Sequence, residues 1–200
     1  MMKRHTSLVI LCVLAASLAG CASTQPAQFY TLSPAVKPAV AAAPPAVYSI
    51  SVGPVSVPAI VDRPQIVVRT GPNQVTLDEF NRWASPLQGE IARVVAENLG
   101  STLGTPDVTV FPQSAATGAA YRVVIDVLRF DSAPGDAAAL DAVWTVRCTK
   151  ENRSKAGRTA VREPVQGNGY AALAAAHSRA LGRMSAEIAE AIREMKARTK

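Results

Sequence analysis

Few residues in this chain of 200 could do chemistry. There are three cysteines and two histidines. His5 and Cys12 sit at the edge of and within an apolar run near the start, which leaves Cys21, Cys148 and His177 as candidate nucleophiles, bases or metal ligands. One histidine cannot build a His-rich metal site and gives little support to a Ser-His-Asp triad. No Gly-x-Ser-x-Gly elbow and no phosphate loop ending in Gly-Lys-Ser or Gly-Lys-Thr is present. Cys148 alternates with Trp144 and Val146 and reads as a small buried apolar side chain. His177 falls on the apolar stripe of a helix, where a hydrogen-bonded core histidine is the economical reading. Gly167-Asn168-Gly169 ahead of that helix could cradle an anion, but a loop needing positive backbone dihedrals explains it more simply. Asp62 and Arg63, beside Pro64, would brace a turn or meet a partner. The expectation is a protein with no enzymatic activity, no metal and no cofactor.

Cys21 stands apart because of what precedes it. Lys3 and Arg4 head an apolar run from Leu8 to Leu18, shorter than the roughly 20 residues of a membrane span and patterned like an export signal. Leu18-Ala19-Gly20-Cys21 resembles the bacterial lipobox. That resemblance implies that residues 1–20 are removed and that Cys21 becomes the acylated first residue, carrying thioether-linked and amide-linked chains such as palmitate. Each buried methylene adds about 0.8 kcal/mol to anchoring, so several chains hold far better than one. Ala22 in second place resembles the sorting default to the outer membrane. The formal charge of +6 includes Lys3 and Arg4, and the milder excess that remains does not mark a nucleic-acid binder. If Cys21 is acylated, Cys148 is left without an intrachain disulfide partner.

The elements that must position these residues read as a single α/β domain over 47–198. Its mixed sheet of about six to seven strands is packed by two main helices, 85–103 and 170–197. Phe29-Tyr30-Thr31-Leu32 is a short strand, and Ser33 to Ala46 is rich in Ala and Pro. Residues 21–46 therefore form either a stalk, with the tether on the order of 75 Å if extended, or a surface loop that leaves about seven free residues, on the order of 20 Å. Strands are expected at 47–57, with a bulge or edge at Gly53-Pro54, and at 65–69, 74–77 and 108–110. Residues 121–130 carry apolar side chains on both faces, as a central strand does. Residues 140–149 alternate, 150–157 read as a hairpin loop, and 158–165 return. In the first helix Ser85, Pro86 and Gln88 form a capping box, Glu90, Arg93 and Glu97 face outward, and Gly100 and Gly104 end it.

Several stretches together resemble the PqiC/YmbA-like family, the auxiliary lipoproteins of intermembrane ABC transport systems. They are Phe29-Tyr30-Thr31-Leu32, Val52-Gly53-Pro54-Val55 with Val57-Pro58, Asp62-Arg63-Pro64-Gln65-Ile66-Val67-Val68-Arg69, Phe80-Asn81-Arg82-Trp83-Ala84-Ser85-Pro86-Leu87 and Gly169-Tyr170-Ala171-Ala172-Leu173. Ser85 departs from the acidic residue such a stretch would carry, and the Ala/Pro insert after Leu32 is long. The resemblance implies a non-catalytic lipoprotein on the outer membrane, facing the periplasm. It would work with an MCE-domain protein and an ABC permease that move lipid between membranes and keep the envelope intact. Asp62, Arg63 and Pro64, with Trp83 if exposed, are the expected partner contacts, and a homo-oligomer would suit docking onto a multimeric transporter. A rival expectation is a periplasmic lipoprotein that itself binds a small amphiphile.

Overall fold

The longest alternating run builds the strand on which the others assemble. In the computed structural model, which describes residues 25–35, 48–112 and 118–198, that strand is β6 (Tyr121–Ala133). Before it come β1 (Gln28–Tyr30), β2 (Ile50–Ser56), β3 (Gln65–Gly71), β4 (Gln74–Trp83), helix α1 (Leu87–Leu103) and β5 (Val108–Val110). After it come β7 (Ala137–Cys148), β8 (Arg153–Pro164) and helix α2 (Gly169–Ala197). All eight strands join one mixed sheet, because the short β1 and β5 both find partners.

β7 lies antiparallel to β6 along its whole length, and β8 follows β7. The other edge of β6 is shared. Its first half takes β2 in parallel, from Ile50 opposite Tyr121 to Ser56 opposite Asp126, and its far end meets β3 where Val68 stands opposite Ser132. β5 extends the β2 branch, and β4 then β1 extend the β3 branch. A register shift between Val127 and Arg129 bends β6 and returns Phe130 and Ser132 to the buried face of Tyr121, Val123, Ile125 and Val127. β6 is central by pairing but covered on one face only, since Asp126 and Leu128 are exposed. Gly53-Pro54 makes the expected irregularity inside β2, between Val52 and Val55.

Both helices pack on the covered face, α1 over β2 and β5, α2 over β7 and β8, and against each other. The capping box at Ser85 does not form. Pro86 is the N-cap, with extended backbone and no side-chain cap bond, so Ser85 stands one residue too far out to reach the first free amides. Gln88 instead donates to Asp62 (3.2 Å). Gly104, at φ 65°, ends the helix in the left-handed conformation. Gly100 does not end it: it lies inside α1, where a β-carbon would sit 3.3 Å from the Thr105 carbonyl. Gly167 and Gly169 take positive φ, the loop role expected for them.

Two readings of the hairpins change. β4 runs on to Trp83 instead of stopping at Leu77, because Tyr30 of β1 pairs with Trp83 and extends the ladder. The β7–β8 turn is only 149–152, with Asn152 at φ 50°. Residues 153–157 are therefore strand, and Gly157 lies opposite Trp144.

Beyond β1 the chain leaves the sheet and crosses the helices as a strap. Leu32 is buried and its amide donates to Glu90 Oε2 (3.2 Å), while its carbonyl accepts from Arg93 (2.6 Å). The Ser33 amide donates to Ser178 Oγ and the Ala35 amide to Asn98 Oδ1, both at 3.0 Å. An extended segment laid on helices has no ladder to satisfy its amides, so side chains supply the acceptors. That is why Glu90 is buried rather than facing outward, with Arg93 neutralising it at 2.9 Å. Ala174, Ser178 and Gly182, one turn apart on α2, keep the groove shallow; a β-carbon on Gly182 would fall 2.5 Å from that of Ala35. Gly182→Val is expected to lift the strap, costing about 1–3 kcal/mol. Hydrogen exchange would then show the Leu32, Ser33 and Ala35 amides losing protection while β6 keeps it. The 36–47 segment lies outside the described residues.

Candidate partner-docking site

The loop between β2 and β3 holds the expected contact residues on a firm base. Pro58 leads in, and its carbonyl accepts from the amides of Val61 (3.0 Å) and Asp62 (3.2 Å). The Arg63 amide donates to Val61 (2.9 Å), and the Val61 side chain is buried beneath. The Pro64 carbonyl accepts the Trp83 amide (2.7 Å), which ties the loop to the end of β4, and the Gln88 bond to Asp62 ties it to the start of α1. Asp62 and Pro64 remain exposed and Arg63 is half-buried. The covered Arg63 Nε has no hydrogen-bond partner among the described residues. Ile60 stands at the tip, 51% exposed; its place in a sequence-local break of pattern gave no sign of that.

The structure thus brings Asp62, Arg63, Pro64 and Trp83 together through the backbone, but it turns the Trp83 side chain away. Trp83 is only 5% exposed. The condition for a partner contact there is not met, because its face of β4 is the one the helices cover. The indole packs edge-on against Phe130 (centroids 6.1 Å) and His177 (6.0 Å). His177 stacks nearly flat on Phe130, 3.9 Å between centroids at 11°, and its Nε2 lies 2.8 Å from Ser132 Oγ.

This Ser–His pair is the nearest thing to a catalytic arrangement among the described residues, and its surroundings make it a packing element. Both residues are buried, His177 fully. Burial pushes the imidazole down to about 3, so it is neutral at any ordinary pH. Asp131, the neighbour in sequence, faces the other side of the sheet. Burial raises its carboxyl, but Arg69 (2.8 and 3.0 Å) and Arg129 outweigh that and hold it below the usual range. Without an acid to orient the imidazole or a path to solvent, the pair has no substrate to exchange a proton with. No group of three or more metal-ligating side chains converges among the described residues. Cys148 is a buried free thiol, as its alternation predicts. Cys21 lies outside the described residues.

Grooves of about 500 and 460 Å³ flank the strap at Pro34, one walled by Arg93, Glu97 and Val110, the other by Tyr30, Ser178 and Arg179. Both linings include charged side chains, Arg93 and Glu97 in the first and Arg179 in the second. Beside the second groove, Tyr170 on the first turn of α2 packs its ring on Tyr30 (centroids 5.9 Å) and donates to Asp78 of β4. Burial raises the Asp78 carboxyl, yet the bonds from Tyr170, Asn81 and Phe80 prevail and hold it low.

Comparison with known proteins completes the picture. Residues 30–189 match the family model described as the ABC-type transport auxiliary lipoprotein component. Two solved structures share the fold. One is an uncharacterised protein, 21% identical, with TM-score 0.68 over 84% of this chain and 99% of the other. The second is protein XCC0632 from Xanthomonas campestris, of the DUF330 family, 22% identical, with TM-score 0.67 over 86% and 100%. At those identities the likeness speaks to fold alone. No curated protein matches the sequence. A match that runs from the last residue of β1 deep into α2 takes in the strap, the 58–64 loop and strands β2 to β8, and so the chain belongs to the ABC-type transport auxiliary lipoprotein components.

Proposed function

We propose that this lipoprotein is a non-catalytic docking subunit, held by acylated Cys21 in the outer membrane and facing the periplasm. There it joins an MCE-domain protein and an ABC permease of one lipid-transport system. The observation that carries this reading is the loop at 58–64. It offers an acid, a half-covered guanidinium and a proline to solvent, yet three internal backbone bonds brace it, the Trp83 amide ties it to β4 and Gln88 ties it to α1. Rigid presentation of polar groups lowers the ordering cost of binding a protein. The full burial of the Ser–His pair supports the non-catalytic part.

Crosslinking in intact cells from positions 62 and 63, with partners identified by mass, is expected to yield the MCE-domain protein. Asp62→Lys is expected to lower that yield at least tenfold, or about 1.4 kcal/mol, without changing the melting temperature. Recovery of no transporter component from either position would refute the docking reading. Cys21→Ala is expected to move the chain from the membrane to the soluble fraction and to sensitise cells to detergent as deletion does. If that variant is processed, located and active like its parent, the anchor reading fails. A ring of copies around the transporter would suit the same docking role and would show as a multiple of the chain mass in light scattering.

A further inference from the structure

The large apolar side chains that stay exposed among the described residues are not scattered evenly. Phe29, Val75, Leu77 and Phe80 lie on β1 and β4, whereas Ile60, Phe111 and Leu128 stand apart on other elements. β1 pairs only with residues 81–83, so among the described residues the outer edge of β4 from Gln74 to Phe80 has no strand beside it and the β3–β4 hairpin projects. Phe29 stands opposite Arg82, two residues from Phe80 on the next strand. An apolar patch with a polar rim marks a contact surface.

What covers it follows from where the chain goes. β1 is parallel to β4, with Gln28 opposite Asn81 and Tyr30 opposite Trp83. The chain upstream of Gln28 therefore points toward Asp78 and the hairpin turn at 71–74. The described chain begins at Gln25, four residues after Cys21. At no more than about 3.6 Å per residue, an anchored Cys21 lies within about 14 Å of Gln25 by any path. This end of the domain cannot stand away from the membrane. We propose that Phe29, Val75, Leu77 and Phe80 form a foot that rests in the lipid interface beside the anchor, and this rests on the Cys21 reading above.

The charges on the hairpin fit a lipid surface. Asp78 is engaged by Tyr170 and by the amides of Phe80 and Asn81. Glu79 is engaged by Gln65 and Arg82. Neither acid is left to repel anionic headgroups unscreened: Asp78 is held by neutral donors and Glu79 pairs with Arg82, while Arg69 pairs with Asp131. Aromatic rings are favoured at the level of the headgroups. The foot would fix the rotation of the domain about its tether and so the direction in which the 58–64 loop points.

The test uses the full acylated protein in phosphatidylethanolamine/phosphatidylglycerol vesicles with brominated acyl chains. Trp83 and Trp144 are both buried and give a constant background. Phe80→Trp and Phe29→Trp each add an indole in the foot. Phe111→Trp adds one after β5, at the opposite end of the strand order. The two foot variants are expected to lose about half of the added emission to bromine, and Phe111→Trp almost none, since interfacial side chains sit about 5–10 Å deep. Equal, weak quenching at all three sites, in protein that floats with the vesicles, overturns the foot and leaves the anchor standing. A blue-shifted Phe80→Trp emission without bromine quenching assigns the bare β4 edge to another protein strand and likewise overturns it. Protein that fails to float overturns the anchor and the foot with it.

Discussion

Gly157→Val is expected to destabilise the fold by about 3 kcal/mol or more, enough to lower the urea midpoint by 1 M or more. Gly157 and Trp144 are directly opposite on β8 and β7. The indole lies across the glycine to donate from Nε1 to Thr159 Oγ1 (3.0 Å), and Thr159 continues the chain of bonds to Glu187 on α2. A β-carbon on Gly157 would sit 2.2 Å from the Trp144 ring. No rotation of a small side chain relieves that, so the ring must leave, breaking the bond and emptying its place under α2. Alanine already carries the clashing atom and is expected to cost nearly as much. The check on cause is Trp144→Leu in the Gly157→Ala background: with the ring gone, the alanine should cost less than about 1 kcal/mol. If the alanine penalty is unchanged there, the clash is not its source.

The second large effect is on the acid side of the stability curve. His177 is wholly buried, with Nδ1 unpaired among the described residues and Nε2 on Ser132. Burial holds its pKa at about 3, far below the ordinary 6.5. The folded-state value is the depressed one, so the unfolded chain binds the proton first. Stability from this group is complete above pH 6.5 and falls as the pH drops, by about 1.4 kcal/mol per unit until the folded pKa is reached. The loss accumulates between about pH 6 and 3. A paired His177→Phe, Ser132→Ala variant keeps a ring on Phe130 and removes both polar groups together, which costs little. Urea unfolding between pH 7 and 4 is expected to show the parent losing about one proton's slope more than this variant. Identical slopes would mean that the imidazole titrates in the folded state.

Both effects bear on function through the same architecture. Trp144 sits under α2 and His177 is part of its buried face, and α2 with α1 carries the strap that leads back to β1 and the anchor. Disturbing either should loosen the strap and leave the 58–64 loop, which rests on β4 and the start of α1, less affected.

Much of this was legible in the chain itself. Spacing locates both helices and six of the eight strands closely, because alternation and helical periodicity are properties of neighbours in sequence. Cys148 and His177 were read correctly as buried, the first from alternation and the second from its stripe. The signal-like leader and the tetrapeptide ending at Cys21 are sequence features outright, and the ordered short matches along the chain pointed to the family that the match over 30–189 shows. What the sequence could not carry were relations between distant segments. Glu90 looked like a surface acid because its partner, the Leu32 amide, lies 58 residues away. Gly157 looked like a loop glycine because its reason, the Trp144 ring, stands across a strand. Trp83 could be a contact or core from its sequence alone, and it is core because pairing with β1 fixes which face of β4 it occupies. Periodicity says that a segment has an inner face; only the folded sheet decides which segments share it, and burial, pKa and the direction of the tether all follow from that choice.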